Sequence, residues 1–328
     1  MKKLIVSASP HVRSHETVTG IMLDVIIALV PSLIASVIIF GLRSLLITAV
    51  CVASCVLFEF LARKIMKRDT TIGDLSAVVT GMLLAFNLPV SIPLWMCVIG
   101  CFFAIVVVKQ FFGGIGQNFV NPAIGGRIVM LVSFASAMTD WTASLSWKNG
   151  VDAVSTATPL SVLKNFDGTL SDELPSLLDM FLGVRGGCLG EVSAVAILIG
   201  GIYLIARRVI KPVIPLCFVG TVAVIMLIAG KGDFEFMLYE ILSGGLLLGA
   251  FFMATDYATS PINTKGKIIF GIGCGLITSV IRLFANLPEG VSYSIILMNI
   301  LVPHIESITR PKPFGTVKEK KNKEEAAS

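Results

Sequence analysis

Residues 20–41 have the sequence GIMLDVIIALVPSLIASVIIFG, and this stretch decides the fold class. It contains a single ionisable side chain, Asp24. A helix needs about 20 predominantly apolar residues to cross the hydrocarbon core of a bilayer. Only helices and closed barrels satisfy every backbone polar group in hydrocarbon, and a continuous apolar run is typical of the helix. The stretch therefore predicts a transmembrane α-helix.

Similar apolar blocks follow along the rest of the chain. The further predicted spans are residues 44–62, 73–89, 92–110, 121–138, 189–206, 211–230, 236–254, 267–285 and 291–309. The span 73–89 is short and ends in Asn-Leu-Pro, which favours a tilted or re-entrant segment. Overall, 55% of residues are hydrophobic and 14% are charged, whereas about a quarter are charged in soluble domains. We predict an all-α integral membrane protein with about ten transmembrane helices.

The positions of Lys and Arg predict the orientation of these spans. With ten spans and a cytoplasmic N-terminus, most basic residues, including all those from Arg310 onward, lie on the cytoplasmic side. The opposite side then holds only Arg43, Lys148, Lys164, Arg185 and Lys231. This distribution follows the positive-inside rule and places both termini in the cytoplasm. The net charge of +5 is explained by topology, so no nucleic-acid partner is predicted.

The predicted spans divide the chain into five regions. These are a cytoplasmic N-terminus (1–19), a first transmembrane half (20–138), an extracytoplasmic loop (139–188), a second transmembrane half (189–309) and a charged cytoplasmic tail (310–328). Residues 86–89 (FNLP) resemble residues 285–288 (ANLP). Two related halves of five spans each would be inverted, as in many transporters. Chance similarity of so short a string is the alternative.

The long loop carries the most informative polar string, residues 152–160 (DAVSTATPL). A proline biases the preceding residue toward extended geometry. Thr158, which precedes Pro159, is therefore expected to be extended, with its hydroxyl accessible for modification. Taken alone, the string also suits an ordinary polar loop.

Five further strings make the chain resemble a known family. They are residues 9–13 (SPHVR), 81–89 (GMLLAFNLP), 113–123 (GGIGQNFVNPA), 190–193 (GEVS) and 252–256 (FMATD). In this order, and with DAVSTATPL, they resemble the D subunits of the Rnf complex, the bacterial ion-translocating ferredoxin:NAD oxidoreductase. The homologous B subunits of the sodium-translocating NADH:quinone reductase are the next most similar group.

This resemblance implies a cofactor and partners. It implies FMN joined through its phosphate to the threonine that ends a Ser-x-Ala-Thr motif, which here comprises Ser155, Ala157 and Thr158. Thr156 is the rival attachment point. Family membership also implies a flavin transferase for maturation, the other subunits of an Rnf-type complex, and a multi-pass location in the bacterial inner membrane. A second, non-covalent riboflavin is a further implied cofactor.

Ionisable side chains inside the predicted spans are functional candidates, because burying a charge in the membrane is costly. Asp24 and Glu191 are the best candidates for lining a cation path or a second flavin pocket. Arg127 and Arg282 also lie inside predicted spans. For these two residues the alternative to a functional role is a structural one, in which the guanidinium pairs with a carboxylate or a backbone carbonyl.

The glycine-rich residues 113–126 predict a broken helix with close backbone packing rather than a nucleotide loop, because no GxGxxG spacing is present. Asn118 and Asn121 within it are candidates for lining the cation path or the second flavin pocket. The seven cysteines do not have the CxxC spacing of zinc or iron–sulfur sites, so no metal is predicted. The rival function is a stand-alone channel or transporter, which would carry no flavin and would be colourless.

Overall fold

The computed structural model describes residues 16–149, 158–164, 174–285 and 289–311. Every regular element assigned within these ranges is a helix. The first group comprises α1 (Val18–Phe40), α2 (Leu42–Ile65), the 3₁₀ turn Ile72–Asp74, α3 (Ser76–Phe86), α4 (Leu94–Phe102) with a π-helical continuation (Phe103–Gln110), and α5 (Pro122–Ser133). Four short helices follow: α6 (Ala135–Met138), α7 (Ser146–Asn149), α8 (Pro159–Leu163) and α9 (Leu177–Leu182). The last group comprises α10 (Ala194–Ala206), α11 (Val213–Ala229), α12 (Phe234–Leu242), α13 (Leu246–Leu248) with a π-helical continuation (Gly249–Met253), α14 (Thr264–Phe284) and α15 (Val291–Thr309).

Each of the ten predicted spans contains an apolar helix, which confirms an all-α membrane protein. Helices α1, α2, α14 and α15 are long and apolar enough to cross a bilayer. Helices α3, α5, α10 and α11 and the segment Leu94–Gln110 are apolar but shorter. Helix α3 has 11 residues and is about 17 Å long, against a hydrocarbon core of about 30 Å. The prediction that this span is unusually short is confirmed.

The predicted span 236–254 is not a straight helix, because the chain bends there by 64° between Phe234–Leu242 and Leu246–Met253. At the bend Ser243 is extended and Gly244 has φ +63°, a conformation that glycine adopts readily. Arg282 donates from Nη1 to the carbonyl of Glu240 at 2.6 Å and from Nη2 to that of Ser243 at 3.1 Å. The guanidinium therefore satisfies carbonyls that the break removes from helical hydrogen bonding.

Contacts between helices repeat in the two five-helix halves. In the first half, α2 packs against α3 and α4, and α4 packs against α5. In the second half, the helices at the same positions make the same contacts, since α11 packs against α12 and α14, and α14 packs against α15. The halves meet through α1 with α10 and through α5 with α15, again at matching positions. This pattern supports two related halves, while the inversion of one relative to the other stays a prediction.

The described parts of the long loop are held against the helix ends. The backbone N–H of Leu145 donates to the carbonyl of Ile39 at 2.9 Å, and Nε1 of Trp147 donates to that of Ile38 at 3.3 Å. Helix α8 packs on α12, and α9 packs on both α10 and α12. These contacts fix the position of Thr158, at the start of α8, relative to the second half.

Candidate functional site

Thr158 has the extended geometry that the sequence predicts. Its φ and ψ are −75° and 149°, and it is the N-cap of α8. Its side-chain Oγ1 accepts a hydrogen bond from the backbone N–H of Ser161 at 3.3 Å, and the side chain is half-buried. The hydroxyl is therefore oriented by the helix start while part of the side chain stays accessible. Ser155, Thr156 and Ala157 lie outside the described residues.

A small pocket adjoins Thr158. Its lining comes from five separate parts of the chain: Trp141, Thr158, Pro159, Leu160, Arg185, Gly186, Glu191, Gly244 and Glu289. The bend in the α12–α13 span contributes Gly244, where a Cβ atom would come within 3.3 Å of Nη2 of Arg282. The broken span thus helps to form the wall of this pocket.

A network of buried charges lies behind the pocket. Arg127 donates from Nη1 to Oδ1 of Asn87 and from Nη2 to Oε2 of Glu289, with which it forms an ion pair. Arg282 pairs with Glu240 at 2.9 Å. The structural alternative for Arg127 and Arg282, pairing with carboxylates and carbonyls, is confirmed by these contacts. Asn87 lies in the FNLP string and Glu289 follows the ANLP string, so both related strings lead to Arg127.

Arg185 and Glu191 are the two charged residues of the pocket that form no ion pair among the described residues. Arg185 is 4% exposed and donates from Nε to the carbonyl of Val192 at 3.3 Å and from Nη2 to that of Glu191 at 3.0 Å. Burial lowers the pKa of Arg185 to about 10, while the nearby charge of Glu191 acts in the opposite direction. Oε1 of Glu191 accepts from the backbone N–H of Cys188 at 3.2 Å, whereas Oε2 is buried without a partner among the described residues.

Cys188, Glu191 and Glu289 offer potential ligand atoms within 4.8 Å of one another. These three side chains do not favour a metal cation, because a positive charge is already present beside them. The guanidinium of Arg127 is paired with Glu289 and lies within 3.7 Å of Sγ of Cys188. Burial also raises the pKa of Cys188 to about 12, whereas a metal ligand must be a thiolate. We therefore interpret this group as part of the buried ion-pair network.

A larger cavity of about 230 Å³ lies at the opposite end of the protein, where α1 begins. Its walls are mostly apolar and come from α1, α3, α5, α10 and the turns after both π-helical segments. Pockets for small organic ligands typically occupy about 300 Å³ or more, are mainly apolar and carry a few polar groups for orientation. The cavity is slightly smaller than that range, and its mainly apolar lining suits an organic ring better than a hydrated ion.

Asn118 and Asn121 both line this cavity, as does Asp256. Asp256 accepts hydrogen bonds from Thr259 at 3.1 Å and from Asn118. Burial raises the pKa of Asp256, and these hydrogen bonds partly oppose that effect. Asn121 caps α5 by accepting from the backbone N–H groups of Ala123 and Ile124.

Lys109 is the buried cation of the same cavity. Its Nζ pairs with Glu59 at 3.0 Å and donates to the hydroxyl of Ser76 at 2.6 Å. Lys109 lies in the π-helical segment that continues α4, and π-helical turns occur often at functional sites. Neither Lys109 nor Asp256 is among the residues that the sequence singled out.

The structure does not bring Asp24 and Glu191 together. Asp24 accepts from the hydroxyl of Tyr203 at 2.9 Å and pairs with Arg207 at 3.2 Å, at the far end of α10 from Glu191. The nine residues of α10 from Ala194 to Tyr203 alone correspond to about 14 Å along the helix. Glu191 belongs to the pocket beside Thr158, and Asp24 lies at the contact between α1 and α10 near the larger cavity.

Sequence reasoning missed Arg185 and Glu289 as parts of the site. For Arg185 the sequence offers one indication of a role, because it is among the few basic residues predicted on the extracytoplasmic side. For Glu289 the indication is its position directly after ANLP, the second of the two related strings. Neither signal predicts which side chains become neighbours, since that depends on how the two halves pack.

The fold and the site define a class: a helical membrane protein with a threonine-bearing polar pocket on one side and a larger cavity on the other. The chain belongs to the NQR2, RnfD, RnfE family, whose model matches residues 5–315. This finding confirms the resemblance to the D subunits of Rnf complexes.

Three relatives illustrate the match, and each covers nearly the whole chain. The chain is 48% identical to the D subunit of the Na(+)-translocating ferredoxin:NAD(+) oxidoreductase complex of Acetobacterium woodii, with 97% of each chain covered. It is 43% identical to the D subunit of the proton-translocating ferredoxin:NAD(+) oxidoreductase complex of Clostridium ljungdahlii, covering 95% of this chain and 96% of the relative. It is 34% identical to the D subunit of the ion-translocating oxidoreductase complex of Escherichia coli K12, covering 94% and 98%.

Proposed function

We propose that this protein is a membrane subunit of a redox-driven, ion-translocating ferredoxin:NAD oxidoreductase complex, and that it carries FMN covalently on Thr158. The observation that carries the proposal is the position of Thr158, whose side chain borders a pocket lined by Arg185, Glu191 and Trp141. The names of the relatives support the complex, and the pocket supports the cofactor.

The residues around Thr158 fit a flavin phosphate ester. In the ester, Oγ1 of Thr158 forms the bond to phosphorus, its proton leaves, and a flavin donor held by the transferase loses its leaving group. Arg185 supplies positive charge beside the resulting phosphate, and Trp141 supplies an aromatic surface of the kind on which flat rings pack. FMN, when bound, supplies one- and two-electron exchange.

We also propose that the larger cavity receives a second, non-covalent flavin, riboflavin. Its apolar walls would bury a ring system, and Asn118, Asn121 and Lys109 place amide and ammonium groups at its edge. Electrons would then pass between a cofactor on the loop side and one on the opposite side of the same protein.

The remaining parts of the proposal follow from family membership. The protein would lie in the bacterial inner membrane with both termini in the cytoplasm, mature with a flavin transferase, and work with the other subunits of the complex. The coupled ion is Na⁺ or H⁺, and the first two relatives named above differ in this respect.

Mass spectrometry of the denatured protein tests the proposal. The full-length protein is expressed with its partner subunits and a flavin transferase, and the peptide containing Thr158 is isolated. We expect a mass increase equal to FMN on this peptide and fluorescence of the denatured protein on a gel.

Three single variants locate the attachment. Thr158→Ala is expected to abolish the modification, whereas Ser155→Ala and Thr156→Ala are expected to retain it. An unmodified peptide from a functional complex would contradict the covalent-flavin proposal and would favour a transporter without a redox cofactor. If the modification is lost only in Thr156→Ala, FMN is attached to Thr156 instead of Thr158.

A further inference from the structure

Arg185 lacks an ion-pair partner in the described part of the chain. The other buried guanidiniums behind the pocket are paired, Arg127 with Glu289 and Arg282 with Glu240. Arg185 is as buried as they are, yet the acceptors it reaches are two backbone carbonyls. An isolated buried charge is unfavourable unless a counter-charge or several hydrogen bonds compensate for its lost hydration.

The acceptors of Arg185 are also on one side of its guanidinium. Nε and Nη2 bond to the chain that leads into α10, at Val192 and Glu191. The residue itself borders the pocket that Thr158 shares. The guanidinium is thus anchored by backbone contacts and presented to the space beside the threonine hydroxyl.

Glu191 supplies the second observation. It is 5% exposed, borders the same pocket, and its Oε2 accepts no hydrogen bond among the described residues. A group that completes this pocket must therefore present an acceptor to Arg185 and a donor to Glu191.

We propose that Arg185 is the counter-ion of the phosphate diester on Thr158, and that Oε2 of Glu191 accepts a hydrogen bond from a hydroxyl of the ribityl chain. The proposal rests on the proposed function, since it requires FMN on Thr158. A ribityl phosphate ester presents an anionic oxygen and neighbouring hydroxyl donors, which are the two groups that the pocket needs. An anion without a hydroxyl group, such as chloride, would satisfy Arg185 and leave Glu191 without a donor.

The charges of the pocket agree with this assignment. Glu289 also borders the pocket, but its carboxylate is paired with Arg127. Glu191 is the remaining acidic side chain of the lining, and it accepts from the backbone of Cys188 rather than from the guanidinium of Arg185. The phosphate would add the negative charge that brings Arg185 into a charge-assisted hydrogen bond.

A thermodynamic cycle tests the role of Arg185 independently of electron transfer. The full-length protein is prepared with and without flavin transferase, and mass spectrometry first confirms which preparation carries FMN. Thermal unfolding is then measured in the same detergent for wild type, Arg185→Gln and Arg185→Lys. Absence of flavin on the wild type at this first step would refute the proposed function rather than the role of Arg185.

We expect flavinylation to raise the melting temperature of the wild type by about 2–4 °C, the shift typical of about 1 kcal/mol in a large domain. Arg185→Gln should lower the melting temperature of the unflavinylated protein, because two buried hydrogen bonds are lost, and it should also remove the flavin-dependent rise. Arg185→Lys, which keeps the charge but not the guanidinium geometry, should keep most of it. Glu191→Leu should reduce the rise, and an undiminished rise would refute the ribityl contact.

A control variant separates this role from a structural one. Arg207→Gln removes a 59%-exposed guanidinium at the other end of α10 and should leave the flavin-dependent rise unchanged. Arg185→Gln lowering the melting temperature equally with and without FMN would overturn the proposal, because Arg185 would then only fasten the chain before α10.

Discussion

The side chain of Asn87 links the two candidate sites. Its Oδ1 accepts a hydrogen bond from Nη1 of Arg127, behind the pocket beside Thr158. Its Nδ2 donates to the carbonyl of Leu83 at 2.6 Å and contacts Sδ of Met253 at 3.7 Å. The carbonyl of Met253 in turn accepts from Nδ2 of Asn121, which lines the larger cavity, at 3.2 Å. Met253 therefore joins the two sites, because its thioether contacts Asn87 and its carbonyl accepts from Asn121.

Replacing Asn87 by leucine is expected to destabilise the protein. Arg127 would lose the acceptor of Nη1 while its Nε already lacks one among the described residues, and leaving a buried donor unsatisfied costs about 1–3 kcal/mol. Thermal unfolding in detergent measures the loss. Asn87→Asp keeps an acceptor for Arg127 but loses the donor to the carbonyl of Leu83, so it should be destabilised less than Asn87→Leu. Equal losses in both variants would show that the amide donor, rather than the acceptor, matters.

Arg282→Gln is expected to destabilise the protein at the bent span, and to do so more than the removal of an exposed charge. The change leaves Glu240 buried without its cation and frees the carbonyls at the bend, and breaking a buried pair in this way costs about 3–5 kcal/mol. Loss of folded protein after detergent extraction, followed by size-exclusion chromatography, checks this. Arg207→Gln, at an exposed ion pair, is the matched control and should elute as wild type.

Gly200→Ala tests the contact between the two halves. A Cβ atom at Gly200 would overlap the carbonyl oxygen of Ala28, so α1 and α10 would have to separate. Overpacking of this kind costs about 1–3 kcal/mol, which thermal unfolding would detect. Gly220→Ala on α11 has no atom within 4 Å of the added methyl and should stabilise by up to about 1 kcal/mol through helix propensity. A stable Gly200→Ala variant would refute the close approach of α1 and α10.

The pKa of Cys188 predicts its alkylation rate. With a pKa of about 12 against about 8.5 for a free cysteine, the thiolate fraction at pH 8.5 falls by about a thousandfold. The rate should increase about tenfold per pH unit while the fold persists. Iodoacetamide labelling of a variant that retains only Cys188 measures this, with the denatured protein as the reference. Fast native labelling near pH 8 would contradict the buried, neutral thiol.

The sequence predicts the helical segments well because each is a long apolar block, and a bilayer imposes a fixed length on such blocks. It does not predict the bend between Phe234–Leu242 and Leu246–Met253, because the apolar composition continues through Gly244 and Gly245. Thr158 is found because its local motif resembles that of a known family, and Pro159 predicts only its extended geometry. Arg185, Arg127 and Glu289 are separated by many residues, so their proximity depends on tertiary packing, which one sequence does not reveal.

The meeting of the two polar sites inside the protein also has an electrical consequence. Asn121 lines the cavity and Arg127 lies six residues later, a separation of about 9 Å along the helix. Where water and polar groups enter a membrane protein from both faces, the transmembrane voltage falls mainly across the thin layer between them. A unit charge that crosses the whole membrane potential changes its energy by about 2.3 kcal/mol per 100 mV. The helical rise between the two residues, roughly 9 Å, is about a third of the hydrocarbon core of about 30 Å, and it sets how far a charge would have to move between the two sites.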